Sequence, residues 1–344
     1  MGIQRDRALP ESTLGPDSRI LITGGTGFFG RALLRHWQAG EVAGETPPRV
    51  LLLSREPERF VAAHPELAQR PWVQCWRGDI LAPDSLPPEG EFTHVLHAAA
   101  DSTLGPGLPA LLRHDQIVQG TRNLLDWALE RSVPRFLLTS SGGAYGPQPE
   151  NMPFLDEDYT GMPDPMRAAN VYGVAKRAAE HLCALYQDRW GLEVVVARCF
   201  AFVGEDLPLD VHFAIGNFVR DALVGDSIEV AGDGSAIRSY LDQRDLAHWL
   251  ITLMTQGRAG RAYNVGSDQA LSIGELAHRV RDLLAPGKAV HIQGRAPAAG
   301  AKSRYVPSIR RAADELGLGV TIDLDQALRD MGARLRARAA RAPG

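Results

Sequence analysis

The sequence, 344 residues long, is poor in cysteine and carries no excess of charge of either sign. Its three cysteines, Cys75, Cys183 and Cys199, are odd in number, widely spaced and set in apolar runs. They exclude a disulfide framework and read as reduced core residues of a cytoplasmic protein. The 41 acidic residues nearly balance the 37 Lys and Arg, and the net charge of -4 gives no electrostatic reason to bind nucleic acid. The Arg-rich end, Arg334–Arg341, reads as a solvated terminus. No window reaches the roughly 18 apolar residues of a membrane span, and the polar start, broken by Pro10 and Pro16, has no signal-peptide core. Ten histidines lack paired ligand spacing, so no metal is expected, with His97 and His114 read as structural. Asp156, Glu157 and Asp158 read as a polar loop. The Gly-x-Ser-x-Gly elbow of a hydrolase is missing.

What is present is an alternation. Short β-branched or leucine-rich runs fall at Arg19–Thr23, Val50–Leu53, Trp72–Trp76, His94–His97, Phe136–Thr139 and Val194–Ala197. Amphipathic stretches separate most of them, clearest at Phe28–Gln38, Ala110–Glu130 and Ala168–Trp190, the last closing at Gly191. Strands apolar on both faces belong in a parallel sheet covered by helices on each side. The fold class is therefore α/β, a Rossmann-type doubly wound parallel sheet. Beyond residue 203 the pattern predicts a helix over Val211–Leu223, strands near Ile228–Val230 and Ile237–Leu241, and a helix over Arg244–Met254. A strand at Tyr263–Val265, a helix over Ile273–Leu284, a loop-rich excursion over Pro286–Pro307 and a helix over Pro307–Leu316 precede a ragged end. This half reads as a lid and not as a second sheet.

Ile20-Leu21-Ile22-Thr23 runs into Gly24-Gly25-Thr26-Gly27-Phe28-Phe29-Gly30 and then into a helix. A tight turn, a backbone close to a pyrophosphate and a helix packed closely on a strand each exclude a β-carbon, while exposed N–H groups and the helix dipole hold phosphate. Gly24, Gly27 and Gly30 thus mark a dinucleotide site; Phe28 and Phe29 start the helix beside it and most simply pack its core side. The spacing fits Gly25-x-Gly27-x-x-Gly30 as well as Gly24-x-x-Gly27-x-x-Gly30, and glycines alone do not choose a family. The second strand ends Leu53-Ser54-Arg55, without the acidic residue that takes the ribose hydroxyls of NAD. A hydroxyl followed by a guanidinium suits a 2′-phosphate, which favours NADP and leaves NAD possible. Asp79 and Ile80, after the third strand, fall near the adenine, where an Asp reads equally as a turn former.

Asn170-Val171-Tyr172-Gly173-Val174-Ala175-Lys176 places Tyr172 and Lys176 four apart, on one face of a helix. An ammonium beside a phenol favours the phenolate and lowers its pKa towards working pH. Tyr172 then takes or gives the proton of an alcohol while hydride passes to or from nicotinamide. A serine of Thr139-Ser140-Ser141, at a strand end, would hydrogen-bond the same oxygen.

With these residues the sequence resembles the extended short-chain dehydrogenase/reductases, specifically the nucleotide-sugar epimerase, dehydratase and reductase group. The resemblance spans about residues 19–318 and includes His97-Ala98-Ala99, Gly120-Thr121, Thr139–Gly146, Arg238 before Asp245, Tyr263-Asn264-Val265-Gly266 and Glu315-Leu316-Gly317. It implies Ser141, counted back from Tyr145-Gly146, as the catalytic hydroxyl with Tyr172 and Lys176, the lysine also touching the nicotinamide ribose. It implies Ala98 and Ala99 beside the cofactor, Ser102, Ser140 and Ser141 towards the sugar, and Arg238 with either Arg295 or Arg304 on the diphosphate of a nucleotide sugar. The strand Ile237–Leu241 would rejoin the dinucleotide-binding domain. The expected division is a flexible arm (1–18), a dinucleotide-binding domain (19–202, joined by about 237–266), a discontinuous substrate lobe (203–236 and 267–320), and a C-terminal helix and tail (321–344). Helices Ala110–Glu130 and Ala168–Trp190 are those such proteins pair in a homodimer.

The sequence departs from the family pattern in places that bear on the reaction. Family members that dehydrate a hexose carry an Asp-Glu pair just after the catalytic hydroxyl; here stand Gly142 and Gly143, which donate and accept no proton. Two usual asparagines are Ala201 and Ile117. The reading is an enzyme that transfers hydride at carbon 4 of a nucleotide-diphosphate sugar. Ser141-x-x-x-Tyr145-Gly146, closest to the 4-epimerase form, ranks a 4-epimerase ahead of an NADPH-dependent 4-keto-sugar reductase, a 4,6-dehydratase and a non-catalytic dinucleotide sensor.

Overall fold

The structure, a computed structural model, describes residues 14–100, 107–294 and 303–341. The first half contains β1 (Arg19–Thr23), α1 (Phe28–Val42), β2 (Arg49–Ser54), α2 (Pro57–Ala63), α3 (Pro65–Ala68), β3 (Val73–Arg77) and β4 (His94–His97). It continues with α4 (Ala110–Glu130), β5 (Arg135–Ser141), α5 (Val171–Trp190) and β6 (Glu193–Cys199). Then follow β7 (Phe202–Val203), α6 (Ala214–Val224), β8 (Ser227–Val230), β9 (Ile237–Arg238), β10 (Leu241–Asp242), α7 (Gln243–Gln256) and β11 (Arg261–Val265). The chain closes with β12 (Leu271–Ser272), α8 (Ile273–Leu284), β13 (Ala289–Ile292), β14 (Arg304–Tyr305), α9 (Arg310–Leu316) and α10 (Leu324–Arg341).

Seven strands form one parallel sheet in the order β11-β6-β5-β4-β1-β2-β3. Its strands are apolar because both faces are covered: Leu21, Val95, Phe136 and Leu138 pack with Leu124 and Ala179 of α4 and α5, whereas Ile20, Ile22, Val50 and Leu52 pack with Leu33, Leu250 and Leu253 of α1 and α7. Successive residues of one strand thus serve two cores, which period-two alternation requires. Thr23 lies level with Leu53 and His97, so these strands end together and open a crevice at their carboxyl ends, on either side of the point where the strand order reverses. A third core joins α6, β8, α8 and α10 through Phe218, Val219, Ile228, Leu276, Val280, Leu328 and Met331.

Three expectations about the second half are corrected. Ile237–Leu241 is not one strand and does not enter the large sheet: β9 pairs with β12 and β14, β10 pairs with β7, and β11 is the seventh strand. The half is more than a lid, since β8 and β13 make a further parallel pair inside the stretch read as lid and loop. The Arg-rich end is no loose terminus, because α10 turns Arg334 and Arg338 onto Glu205, each at 2.5 Å. Among the described residues no helix is long and apolar enough to cross a membrane.

Candidate active site

The glycine turn is shaped by two close approaches. Gly24 has φ +71°, and a Cβ on it would stand 2.5 Å from Ala98 O; a Cβ on Gly30 would stand 1.9 Å from Gly25 O. Helix α1 therefore rests directly on the turn. Its N-cap is Gly27, with no side-chain cap and no acidic residue in the first turn. The unpaired N–H groups there favour an anion. Gly24, Gly27, Phe28, Phe29, Ser54, Arg55, Asp79, Ile80, Ala98 and Ala99 line one cleft with Tyr172 and Lys176. Gly30 does not line it and acts through packing. Phe28 and Phe29 also meet Phe202, at 6.2 and 5.3 Å between ring centres. Asp79 Oδ1 accepts the Leu81 N–H at 2.9 Å, so the carboxylate is engaged in its own turn.

At the end expected to take the adenosine the structure adds residues that sequence reasoning missed. Arg31, Arg59 and His64 join Ser54 and Arg55 in the lining. Arg31 donates to Asp206 O at 2.7 Å and stands 3.2 Å from His64 Nε2.

At the other end Ser141, Tyr172 and Lys176 come together from the end of β5 and the first turns of α5. Lys176 Nζ donates to Thr139 O at 2.7 Å and lies 5.9 Å from the Tyr172 ring centre. Burial brings the lysine down to about 8. Ser141 Oγ accepts the Gly143 N–H at 3.0 Å. The expectation that Lys176 lowers the phenol is corrected for this state: burial holds Tyr172 above its ordinary value, and the groups that oppose burial are Ser141 and Arg113. Arg113 stands 4.5 Å above the Tyr172 ring. Ser140, although it lines the cleft, gives its hydroxyl to Glu180 at 2.5 Å, which in turn pairs with Arg198.

Arg238 reaches the same cleft from β9, its guanidinium steadied by Ser303 O at 3.0 Å and Ser303 Oγ at 3.2 Å. Arg304 does not line the cleft; it donates to Pro153 O at 3.2 Å, and the next residue, Tyr305, faces inward instead. Alternation along a strand explains the exchange. Ser102 and Arg295 lie outside the described residues. Arg113, Gln116, His212, Tyr240 and Tyr305 also line this end and were missed. A signal existed for two of them: Arg113 and Gln116 precede Gly120 by seven and four residues, on the face that packs Gly120 against Ile80. Among the described residues the carboxylates that line the cleft are Glu56 and Asp79, both at the adenosine end.

Tyr145, the tyrosine of the Tyr-Gly pair, is buried and donates to Asn264 Oδ1 at 2.8 Å; Asn264 Nδ2 in turn donates to Leu155 O and Ser308 O. These two motif residues fasten the loop after β5 to the end of β11. They do not touch the cleft. The cleft holds about 1360 Å³, more than the roughly 300–1,000 Å³ of a pocket for one small molecule.

A seven-stranded Rossmann-type sheet with a Ser-Tyr-Lys group at its carboxyl edge defines a short-chain dehydrogenase/reductase. The family model described as the NAD dependent epimerase/dehydratase family matches residues 20–266. UDP-glucuronic acid decarboxylase 1 of Danio rerio is 30% identical over 321 residues, covering 90% of this chain and 71% of that protein. Among solved structures, RMD from Pseudomonas aeruginosa, complexed with NADPH, is 28% identical with TM-score 0.75, over 93% of this chain and 99% of that one. The dTDP-glucose 4,6-dehydratase DesIV from Streptomyces venezuelae is 24% identical with TM-score 0.80, over 94% and 98%. The chain belongs to the NAD dependent epimerase/dehydratase family.

Proposed function

We propose that the protein transfers hydride at carbon 4 of a nucleotide-diphosphate sugar, as a 4-epimerase. The observation that carries this is chemical economy at the sugar end: one phenol, Tyr172, with Ser141 and Lys176 around it, and no carboxylate lining that end among the described residues. A single acid/base serves oxidation of one carbinol and its re-reduction. Elimination of water needs a second acid/base, which Gly142 and Gly143 do not supply. The dinucleotide fits the residues present, because α1 offers uncapped N–H groups and Gly24 leaves room where a Cβ would collide. The turn amides would hold its pyrophosphate, and Lys176 its nicotinamide ribose. When bound, the nicotinamide supplies the hydride acceptor and donor.

NADP is the favoured dinucleotide. Ser54 and Arg55 are followed one helical turn later by Arg59, and the neighbouring carboxylate, Glu56, pairs with Arg59 at 3.7 Å. A 2′-phosphate would meet two guanidinium groups. Arg238 would take the sugar-nucleotide diphosphate, from a strand paired with the proposed substrate lobe of residues 203–236 and 267–320. A homodimer through α4 and α5 has support from Leu111 and Leu185, 81% and 49% exposed on those helices.

A second reading, decarboxylation of a uronic acid, rests on the Danio rerio relative and on Arg113. A guanidinium 4.5 Å from the Tyr172 ring centre suits a sugar carboxylate, and a carboxylate β to a carbon 4 ketone leaves as CO₂ without a base at residue 142 or 143. Incubation with UDP, dTDP and GDP hexoses, UDP-glucuronate and nucleotide-diphosphate 4-keto-6-deoxyhexoses, with products identified by NMR and reduced nicotinamide followed by absorbance, separates the outcomes. Inverted carbon 4 without net cofactor change is expected. Stoichiometric loss of reduced cofactor means a reductase, a pentose product a decarboxylase, and no product from any of these sugars overturns the reading in favour of a sensor.

A further inference from the structure

Ser141 has a second phenol beside it. Tyr305 reaches the cleft from β14, where it lies level with Arg238 of β9, and its ring packs tilted against Phe200 at 4.6 Å between centres. Its hydroxyl stands 3.5 Å from Ser141 Oγ and 3.4 Å from Cys199 O. These separations exceed the roughly 2.5–3.0 Å of a closed O–H···O bond, as in many catalytic sites before a ligand closes them. The same oxygen fills the place that a side chain on Gly142 would need: a Cβ there would stand 2.7 Å from the Tyr305 hydroxyl and 2.7 Å from the Phe200 ring. A side chain at residue 142 would have to push the Tyr305 hydroxyl and the Phe200 ring aside.

Counting lone pairs gives this contact a consequence. A serine hydroxyl has one proton to donate and two lone pairs to accept with. The Gly143 N–H already occupies one lone pair of Ser141. We propose that Tyr305 is a positioning residue whose hydroxyl donates to the other lone pair, so that Ser141 acts only as a donor, towards the Tyr172 oxygen or the sugar oxygen that Tyr172 serves. Tyr305 keeps a proton to give, because burial pushes its phenol well above the ordinary value. A serine whose lone pairs are both filled has no acceptor left to compete for the proton of Tyr172, and its own proton stabilises the Tyr172 phenolate. Arg238, 6.0 Å from the Tyr305 ring centre, sets the phenol next to the side chain proposed for the diphosphate. Sugar binding and the orientation of Ser141 thus meet at one strand pair.

The inference rests on Tyr172 as the acid/base, and its test needs no sugar. The near-ultraviolet phenolate absorbance of the protein saturated with NADP⁺ is titrated against pH, and subtraction of the Tyr172→Phe protein isolates Tyr172. Tyr305→Phe, which keeps the ring on Phe200, is expected to raise the Tyr172 midpoint by about half a pH unit to one unit, the size of one net hydrogen bond. In a Ser141→Ala background the same substitution is expected to shift nothing. Gly142→Ala, whose Cβ would push the chemically intact Tyr305 phenol away from Ser141, gives the upward shift again. An unchanged midpoint in Tyr305→Phe, or an equal shift with and without Ser141, overturns the proposal. Failure of the acid/base reading itself shows differently, as full turnover in folded Tyr172→Phe.

Discussion

The two ends of the cleft are built from different materials. The end proposed for the dinucleotide depends on main chain at its floor: the turn at Gly24, the uncapped start of α1 and the ends of β1, β2 and β4 approach so closely that an added methyl group collides. The sugar end is made of side chains, with Tyr172 and Arg113 from two helices, Ser141 from a strand end, and Arg238 and Tyr305 from two-residue strands of the other half. One end is damaged by addition and the other by deletion. That difference can be broken or sharpened by substitution.

The largest effect is expected from deleting one oxygen at the sugar end. Tyr172→Phe removes the acid/base and lowers kcat by about 10²–10⁴-fold, with dinucleotide affinity unchanged. Steady-state turnover on the sugar found by the NMR panel, beside calorimetric titration of NADP⁺, gives both numbers. A parallel loss of NADP⁺ binding would mean that the two ends are not separately built.

Adding a carbon at the adenosine end comes next. Gly24→Ala forces a side chain into φ +71°, 2.5 Å from Ala98 O. A non-glycine residue held there costs about 1–3 kcal/mol, and relief of the collision must move the turn away from the pyrophosphate. NADP⁺ affinity is expected to fall about tenfold to a hundredfold, with a lower Tm. Unchanged affinity would show that the turn amides do not hold the ligand. The side chains of this end respond differently: Arg55→Ala is expected to weaken NADP⁺ about tenfold through loss of a charge-assisted bond, and NAD⁺ by less than about twofold. Equal losses for the two dinucleotides would remove the basis for preferring NADP.

The same contrast explains what the sequence could tell. The glycine turn, the apolar strands and the Tyr172/Lys176 spacing are local: turn geometry, a strand buried on both faces and a helical period each write themselves within a few consecutive residues. Residues 19–97 accordingly read nearly as they fold. Tyr305 and Arg304 show the limit, because a strand of two residues is too short to display a period, and the inward position fell on the tyrosine and not on the arginine that the family pattern drew attention to. Glu205 shows it as well. The partners that hold it, Arg334 and Arg338, lie more than a hundred residues away, so the Arg-rich end looked solvated until α10 was seen folded back. The Tyr172 phenol differed from expectation because spacing reveals a neighbouring charge but not burial, and burial prevails.

His97 is where the two ends are tied together, and its effect is on stability and not on turnover or binding. At the end of β4, its Nδ1 stands 2.7 Å from Thr23 Oγ1, beside the glycine turn, and its Nε2 3.1 Å from Thr121 Oγ1 of α4, the helix that carries Arg113. Burial holds the ring neutral and brings its pKa down to about 3 from an ordinary 6.5. The sign follows directly: as pH falls the unfolded chain takes up this proton first, so stability is full above about 6.5 and is lost as pH falls towards the folded value. One such proton contributes a slope of about 1.4 kcal/mol per pH unit. His94, lowered to about 4 by burial, adds to the same window. In His97→Gln, whose amide can still span the two threonines, urea unfolding between about pH 6 and pH 4 is expected to lose one proton's worth of slope. An unchanged slope would mean that His97 is charged in the fold, and a charged ring could not accept from either threonine. The pin between the main-chain-built end and the side-chain-built end would then have to be sought elsewhere.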